Sequence, residues 1–403
     1  MAEDRLWQMD LFRRVAAGRL SEIFGERTLE VDRFSRVLGF RRDAVESLGS
    51  LSPEERSYLE SFVEGINTYI RDQPGERPIE FRVLGYAPDP FTPEEIIALT
   101  HFQSYASNHN WKHEVLRASA IQELGRRRGR ELAPALTFHG PYMALPGFHD
   151  PLEGVPGNLE LPSTSTHGKC EPERRIHAAL LQADALIEQI SGLQGNQIHS
   201  NFWIISGEHT ESGKPILAND YHMPFLLPSL WYELHLVGDG IDALGITLPG
   251  YPTIIAGHNR NIAWGATTTG ADTQDLFWER LNPDNGDQYL YKGIYHPFET
   301  VSEEIRYKSE GEPRAEKLAV RISRHGPIVN SITGTLLDDG FPLAFQSVAG
   351  ATRGQISFCM QIFRASNWQE FKAAVALIRT PVWNWGYADR EGNIGLMVNG
   401  RIP

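Results

Sequence analysis

The chain has 403 residues, 41% of them hydrophobic and 22% charged, the make-up of a globular protein with material for two or three domains. Lys and Arg number 38 against 51 Asp and Glu, a formal net charge of −13, and a chain this acidic repels phosphate backbones and argues against nucleic acid as a partner. Two cysteines, Cys170 and Cys359, make no disulfide framework or cysteine metal cluster, and no run of about 18 apolar residues is present to span a membrane.

The start, Met1-Ala2-Glu3-Asp4-Arg5, has no apolar signal-peptide core. The first third then reads as helical. Ser52-Pro53-Glu54-Glu55 combines a capping serine, a proline at the first helical position and a glutamate three residues after the cap. Leu59, Phe62, Val63, Ile66, Tyr69 and Ile70 follow at the spacing of one buried helix face. Thr92-Pro93-Glu94-Glu95 repeats the start signal, and the helix after it is expected to run through Ile96, Leu99, Phe102 and Tyr105 toward Leu124.

From about Gly147 to Cys170 the texture turns to Pro, Gly, Ser and Thr, which break regular structure. One more helix is predicted on Ile176, Leu180, Leu181, Leu186 and Ile190, followed by the polar segment Gly192-Leu193-Gln194-Gly195-Asn196-Gln197. Roughly 145–199 is therefore read as an exposed connector, the kind of segment that tolerates cleavage.

Beyond it the signal is strand after strand. Phe202–Ile205 and Pro215–Ala218 flank a turn at Glu211-Ser212-Gly213, which predicts a hairpin. Trp231–Val237, Ile246–Leu248, Thr253–Ala256, Ile262–Trp264 and Leu318–Ile322 read as further strands. Ser366-Asn367-Trp368-Gln369 starts a helix, and a last strand, Asn393–Val398, follows the turn Asp389-Arg390-Glu391-Gly392. Helices first and antiparallel strands later is the pattern of an α+β fold.

Serine is a poor nucleophile unless a base takes its proton, and the sequence holds no Gly-x-Ser-x-Gly elbow. A serine that begins a chain has another base, its own α-amine, which titrates near 7.7–8.0, close to the optimum for a general base at neutral pH. That solution needs an exposed cleavage point just before a serine that opens a strand. The junction Gln197-Ile198-His199-Ser200-Asn201-Phe202-Trp203 meets the requirement.

Ser200-Asn201-Phe202-Trp203-Ile204-Ile205-Ser206-Gly207, with Ser212-Gly213-Lys214-Pro215-Ile216-Leu217-Ala218-Asn219-Asp220-Tyr221-His222, resembles the start of the β chain in the penicillin acylase family of amino-terminal nucleophile hydrolases. Asp4-Arg5-Leu6-Trp7-Gln8-Met9-Asp10 resembles the family's α-chain segment near its first helix. Gly257-His258-Asn259 with Ala263-Trp264-Gly265, and Asn384-Trp385-Gly386-Tyr387-Ala388-Asp389 with Gly392-Asn393-Ile394-Gly395, resemble two further β-chain motifs. The resemblance covers nearly the whole chain in the expected order.

It implies an αββα sandwich, incomplete here, with a helical α-chain region over 1–145, a spacer over 146–199 and the first part of a β chain over 200–403. It implies an autoprocessed hydrolase of linear amides, cut between His199 and Ser200, whose substrates in the family include penicillins, glutaryl cephalosporins and N-acyl homoserine lactones. Ser200 would be nucleophile and, through its α-amine, base. His222, which taken alone reads as a turn histidine at a strand end, falls where the family places a histidine or glutamine beside the nucleophile. The first oxyanion donor, a backbone N–H, falls on Thr268, with Thr269 as the near alternative. The acyl pocket would involve Asn108, Met223 and Ala256. Glu114, Asp272 and Asp275 match a structural calcium site, and hard oxygen ligands suit that ion; no organic cofactor is implied. The partners are a small N-acyl amide and the two chains of the processed precursor, and members are usually periplasmic or extracellular. The family pattern extends on both sides of this chain, and its later β-chain block carries the asparagine that completes the oxyanion hole. The alternative reading is therefore an inactive fragment that needs a partner chain, or a binding module; cleavage before Ser200 separates the two.

Overall fold

A computed structural model of the chain describes residues 1–72, 75–107, 110–133, 171–191, 199–333, 342–348 and 354–401. Its first part is helical: α1 (Ala2–Ala17), α2 (Ser21–Phe24), α3 (Leu29–Leu38), α4 (Phe40–Gly49), α5 (Pro53–Asp72), α6 (Ile79–Leu84), α7 (Pro93–Ala106), α8 (Trp111–Leu132) and α9 (Glu171–Ser191). The start of α5 is the predicted reciprocal cap. Glu55 Oε2 accepts the Ser52 N–H at 2.8 Å and Ser52 Oγ accepts the Glu55 N–H at 3.2 Å, which satisfies two of the donors that every helix start leaves open.

α7 is the centre of the helical part. Every residue from Glu95 to Ala106 is buried, and it packs against α1 and α4. A charged cluster is sealed beside it. Asp10 accepts from Arg13 at 2.9 and 2.6 Å, from Arg14 at 2.9 Å and from Tyr86 at 2.7 Å, and Arg13 also donates to Glu95 at 2.9 Å. The two guanidiniums and the Tyr86 hydroxyl outweigh burial and hold the Asp10 carboxyl below its usual range.

Two expectations change here. The helix starting at Pro93 does not continue to Leu124: it ends at Ala106 and a second begins at Trp111. Asn110 turns its side chain outward, donating to the Gln274 carbonyl at 2.6 Å and accepting the Thr273 N–H at 3.2 Å. Short polar side chains compete with helix continuation in this way. The exposed connector is also interrupted. α9 forms within it and buries Leu180, Ala183 and Ile187, and it packs on α3 and α1. Residues 134–170 and 192–198 lie outside the described residues.

The strands are β1 (His199–Ile205), β2 (Ile216–His222), β3 (Tyr232–Gly238), β4 (Ile241–Thr247), β5 (Ala256–Asn259), β6 (Ile262–Thr268), β7 (Gln274–Trp278), β8 (Leu281–Asn282), β9 (Asn285–Tyr291), β10 (Ile294–Pro297), β11 (Glu299–Ser309), β12 (Glu312–Ser323), β13 (Gly326–Pro327), β14 (Leu343–Ser347), β15 (Trp383–Asp389) and β16 (Ile394–Val398), with α10 (Gln355–Ile362) and α11 (Trp368–Val375) before β15. Six form one antiparallel sheet, β16-β15-β6-β5-β4-β3, and β1 with β2 is a separate hairpin. β11 and β12 make a long ribbon tied to α3 by Arg33–Glu316 at 2.7 Å and Arg36–Glu303 at 3.0 Å.

The fold is α+β, and the layers around the large sheet run α, β, β. One face carries α10 and α11 over Trp264, Ala266, Trp385 and Tyr387. The other carries the β1–β2 hairpin, admitted by two glycines that pair across β6 and β15, Gly265 and Gly386. A Cβ on Gly386 would lie 3.0 Å from the Phe202 ring and 3.2 Å from Ile204, so a side chain there would push the hairpin's inner side chains outward by a few tenths of an ångström. Trp203, Ile205 and Ile216 on the hairpin's outer face are exposed. Among the described residues no helix is long and apolar enough to cross a membrane.

Candidate active site

Side chains alternate along a strand, and β1 alternates between exposed and half-buried from His199 onward. Ser200, Phe202 and Ile204 point inward; His199, Asn201, Trp203 and Ile205 point outward. Ser200 pairs with Tyr221 of β2, so the two share the inward face. There they border a cavity of about 60 Å³, lined chiefly by apolar atoms, where the hairpin, the large sheet and α7 meet. Thr100, Gln103 and Ser104 of α7 line it together with Trp231, Leu248, Tyr251 and Ile255 and with Thr267, Thr268, Pro381, Trp383 and Ser200. The Tyr221 and Trp231 rings pack at 4.5 Å, and burial pushes the Tyr221 hydroxyl pKa up, so it is neutral at ordinary pH.

Of the residues expected from the sequence, Ser200, Met223 and Thr268 all border this cavity. Ala256 does not: it is buried in β5, and Ile255, in the loop just before that strand, lines the cavity instead. Asn108 lies outside the described residues. His222 is not beside Ser200. It is the partner of His199 in the hairpin register, on the outward face, where its Nε2 lies 3.0 Å from Asp220 Oδ2 and its side chain is 44% exposed. The alternation that turns Tyr221 inward turns His222 outward. Thr269 is also absent from the cavity wall; its Oγ1 donates to the Val382 carbonyl at 3.0 Å. Thr268 is held differently, by Asn384 Nδ2, which donates to its carbonyl at 3.3 Å and to Thr267 Oγ1 at 3.2 Å.

A second constellation lies off the cavity. Glu114 of α8, Asp272 and Asp275 of β7 bring carboxylate oxygens within 4.8 Å of one another. Glu114 Oε2 accepts the Leu276 N–H at 3.0 Å, and Asn110 Nδ2 is bonded to Asp272. Burial, then the neighbouring carboxylates, pushes the Glu114 pKa up to about 8 and raises that of Asp272. Three hard oxygen donors crowded closely enough to raise two of their own pKa values are a donor set that fits a divalent cation such as calcium.

Gln103, Tyr221, Trp231, Tyr251 and Trp383 belong to the cavity and escaped the sequence reading. Pocket wall and core are built from the same residue types, so neither chemistry nor spacing singled them out.

A family model described as penicillin amidase matches residues 1–403. The chain belongs to the penicillin amidase family, a family of amide-hydrolysing acylases. It is 29% identical over 411 residues to the acyl-homoserine lactone acylase QuiP of Pseudomonas aeruginosa, 26% over 438 residues to the penicillin G acylase of Escherichia coli and 27% over 413 residues to the penicillin acylase 2 proenzyme of a Pseudomonas species. Each alignment takes in 100% of this chain and 46%, 50% and 49% of the relative, respectively. The chain therefore spans about half the length of these family members.

Proposed function

We propose that this chain is the nucleophile-bearing part of an N-acyl amide hydrolase, cut between His199 and Ser200, that carries its acyl intermediate on Ser200 Oγ. The observation that supports it most directly is that Ser200 lines an apolar cavity together with Thr268. In self-cleavage Ser200 Oγ attacks the His199 carbonyl carbon, the peptide nitrogen leaves as the α-amine, and water hydrolyses the ester to free both ends. That amine is then the base, with a pKa near 8. In the hydrolysis of substrate it takes the Oγ proton while Oγ attacks the acyl carbonyl. It returns the proton to the departing amine as the C–N bond breaks, and water splits the acyl-enzyme to acid and free serine.

Thr268 supports the oxyanion. Both main-chain groups of Ala266 are bonded to the hairpin residue Asn219, so they point off β6 on the hairpin side. Thr268 lines the same cavity as Ser200 and Thr269 does not, which favours the Thr268 N–H as the donor. A fixed backbone donor stabilises the tetrahedral intermediate without depending on its side chain. His222 has no part in this scheme.

The cavity takes the apolar end of the acyl group. About 60 Å³ holds roughly five water-sized groups, the scale of a short acyl chain, and the relatives' names point to N-acyl homoserine lactones and penicillins as the amides to try. Glu114, Asp272 and Asp275 would hold a calcium ion, which when bound would brace α8 against β7 at a distance from the chemistry.

Intact-mass spectrometry of the purified chain beside Ser200→Ala tests the reading. Two pieces, the second starting at Ser200, are expected from the first protein and one uncut chain of 45.3 kDa from the second. A wild-type chain that stays whole sinks the proposal for this chain. If it is cut, release of free amine from N-acyl homoserine lactones and penicillin G identifies the acyl class.

A further inference from the structure

Asn219 of β2 joins the strand that carries Ser200 to the strand that carries Thr268. Its Nδ2 donates to the carbonyl of Asn201, one residue after Ser200, at 3.0 Å, and to the carbonyl of Ala266, two residues before Thr268, at 3.2 Å. Its Oδ1 accepts the Ala266 N–H at 2.9 Å. β5 pairs with β6 at His258↔Ala263 and Gly257↔Trp264, so among the described residues the following stretch of β6 has no strand neighbour on that side, and one carboxamide takes the neighbour's place. The space it needs is kept open by Gly265, where a Cβ would lie 2.6 Å from Asn219 Oδ1, closer than real contacts allow.

We propose that Asn219 is a positioning residue that fixes the separation and alignment of Ser200 Oγ and the Thr268 N–H; this rests on the reading of Ser200 as nucleophile. Only a primary amide on this stem meets all three main-chain groups, since it offers an acceptor for one N–H and two donor hydrogens for two carbonyls. Aspartate keeps the acceptor but turns a carboxylate oxygen on both carbonyls, and alanine offers neither. Asn219 does not border the cavity, so it contributes to alignment and not to holding the acyl group. An error of about 1 Å between nucleophile and oxyanion donor costs on the order of 100-fold in rate.

The experiment compares wild type with Asn219→Asp, Asn219→Ala and Gly265→Ala, the last of which pushes the amide out of place while leaving it in the chain. Amide hydrogen exchange is followed in peptides covering 199–205, 262–268 and 383–389, together with the rate of the His199–Ser200 cut and with kcat and KM on an N-acyl substrate. All three variants should exchange at least about tenfold faster in the first two peptides, as expected from losing a bond worth on the order of tenfold, and unchanged in the third. The cut and kcat should fall about 100-fold while KM stays within about threefold. Unchanged exchange in 199–205 and 262–268, or a kcat that survives the loss of the amide, overturns the proposal, as does a KM that rises in step with the loss of rate. A wild-type chain that is neither cut nor active overturns the Ser200 reading instead, and the exchange pattern then decides on Asn219 alone.

Discussion

His101 sits in the middle of α7 with 2% of its surface exposed. Burial lowers its pKa to about 4, against an opposing interaction with the Phe40 main chain. In the unfolded chain a histidine titrates near 6.5. Between those values the unfolded state binds a proton that the folded state refuses, so the group destabilises the fold progressively as pH falls from 6.5 to 4 and has no effect above that window. The difference of roughly 2.5 pKa units corresponds to about 3 kcal/mol. His101→Leu should therefore show a flatter stability curve than wild type over pH 4–6.5 in urea unfolding, the two differing by a constant above pH 7; parallel curves throughout would mean that His101 is charged in the fold or not buried. At this same scale the site was partly legible. Ser200 was proposed from a polar junction that runs straight into a strand together with the family resemblance, and it lines the cavity. His222 was misplaced because a motif fixes spacing along the chain and not the face, and here the two-residue period sends it outward with Asp220. Gln103 and Trp383 carried no signal, since a wall residue and a core residue have the same chemistry until a cavity is seen between them.

α9 behaves as part of the folded body and not as a tether. Leu180, Ala183 and Ile187 are 3%, 0% and 2% exposed, Asp184 of the same helix accepts the Tyr105 hydroxyl proton at 2.6 Å, and Lys112 pairs with both Asp184 and Glu188. Removing one buried aliphatic side chain costs about 2–5 kcal/mol through lost transfer and the cavity left behind. Ile187→Ala should thus lower the unfolding free energy of the uncut chain by about 2–4 kcal/mol, whereas an unpacked linker would tolerate it with a change under about 0.5 kcal/mol. In the processed protein the first piece should still weigh enough to include residues 171–191, because stripping α9 away would expose that face of α3; a first piece ending before Glu171 contradicts this. The helices themselves were readable where local rules suffice, as at the Ser52–Glu55 cap. The break between α7 and α8 was not, because its cause is tertiary: Asn110 spends its amide on Gln274 and Thr273, over 160 residues away in sequence. The strands emerged from period and turns, yet β5 runs Ala256–Asn259, later than the apolar run Thr253–Ala256 predicts. That run is buried as a loop, where Tyr251 bonds back to Leu248 and Ile254 accepts the Trp264 indole N–H.

Across the whole molecule the proposed cut separates a helical piece from a mostly β piece, and the two must stay together for the cavity to exist, since α7 supplies part of its lining and strands and loops after the cut supply much of the rest. Direct bonds already span them: Tyr58 to the Pro252 carbonyl at 2.6 Å, Asn110 to Gln274 and Arg33 to Glu316. The Glu114–Asp272–Asp275 cluster spans them too, with one ligand on α8 before the cut and two after it. Without a cation Glu114 faces the two aspartates with its pKa raised to about 8, so as pH rises through that value the junction comes to hold like charges across the cut and weakens the association of the pieces. With one it becomes a cross-link whose contribution is set by mass action, about 2.7 kcal/mol when free calcium is a hundredfold above its dissociation constant. Adding calcium to the chelator-treated protein should accordingly raise Tm by several degrees, and magnesium less, because it sheds its waters reluctantly and demands octahedral geometry. Glu114→Gln should abolish the calcium response without touching Ser200, so that the variant is still cut but its two pieces separate at lower denaturant than those of calcium-loaded wild type. A Tm that ignores both calcium and chelator would mean that the cluster adds nothing to the junction, and the pieces would then be held by their apolar contacts and by polar bonds such as Arg33–Glu316, Arg36–Glu303, Asn110–Gln274 and Tyr58–Pro252.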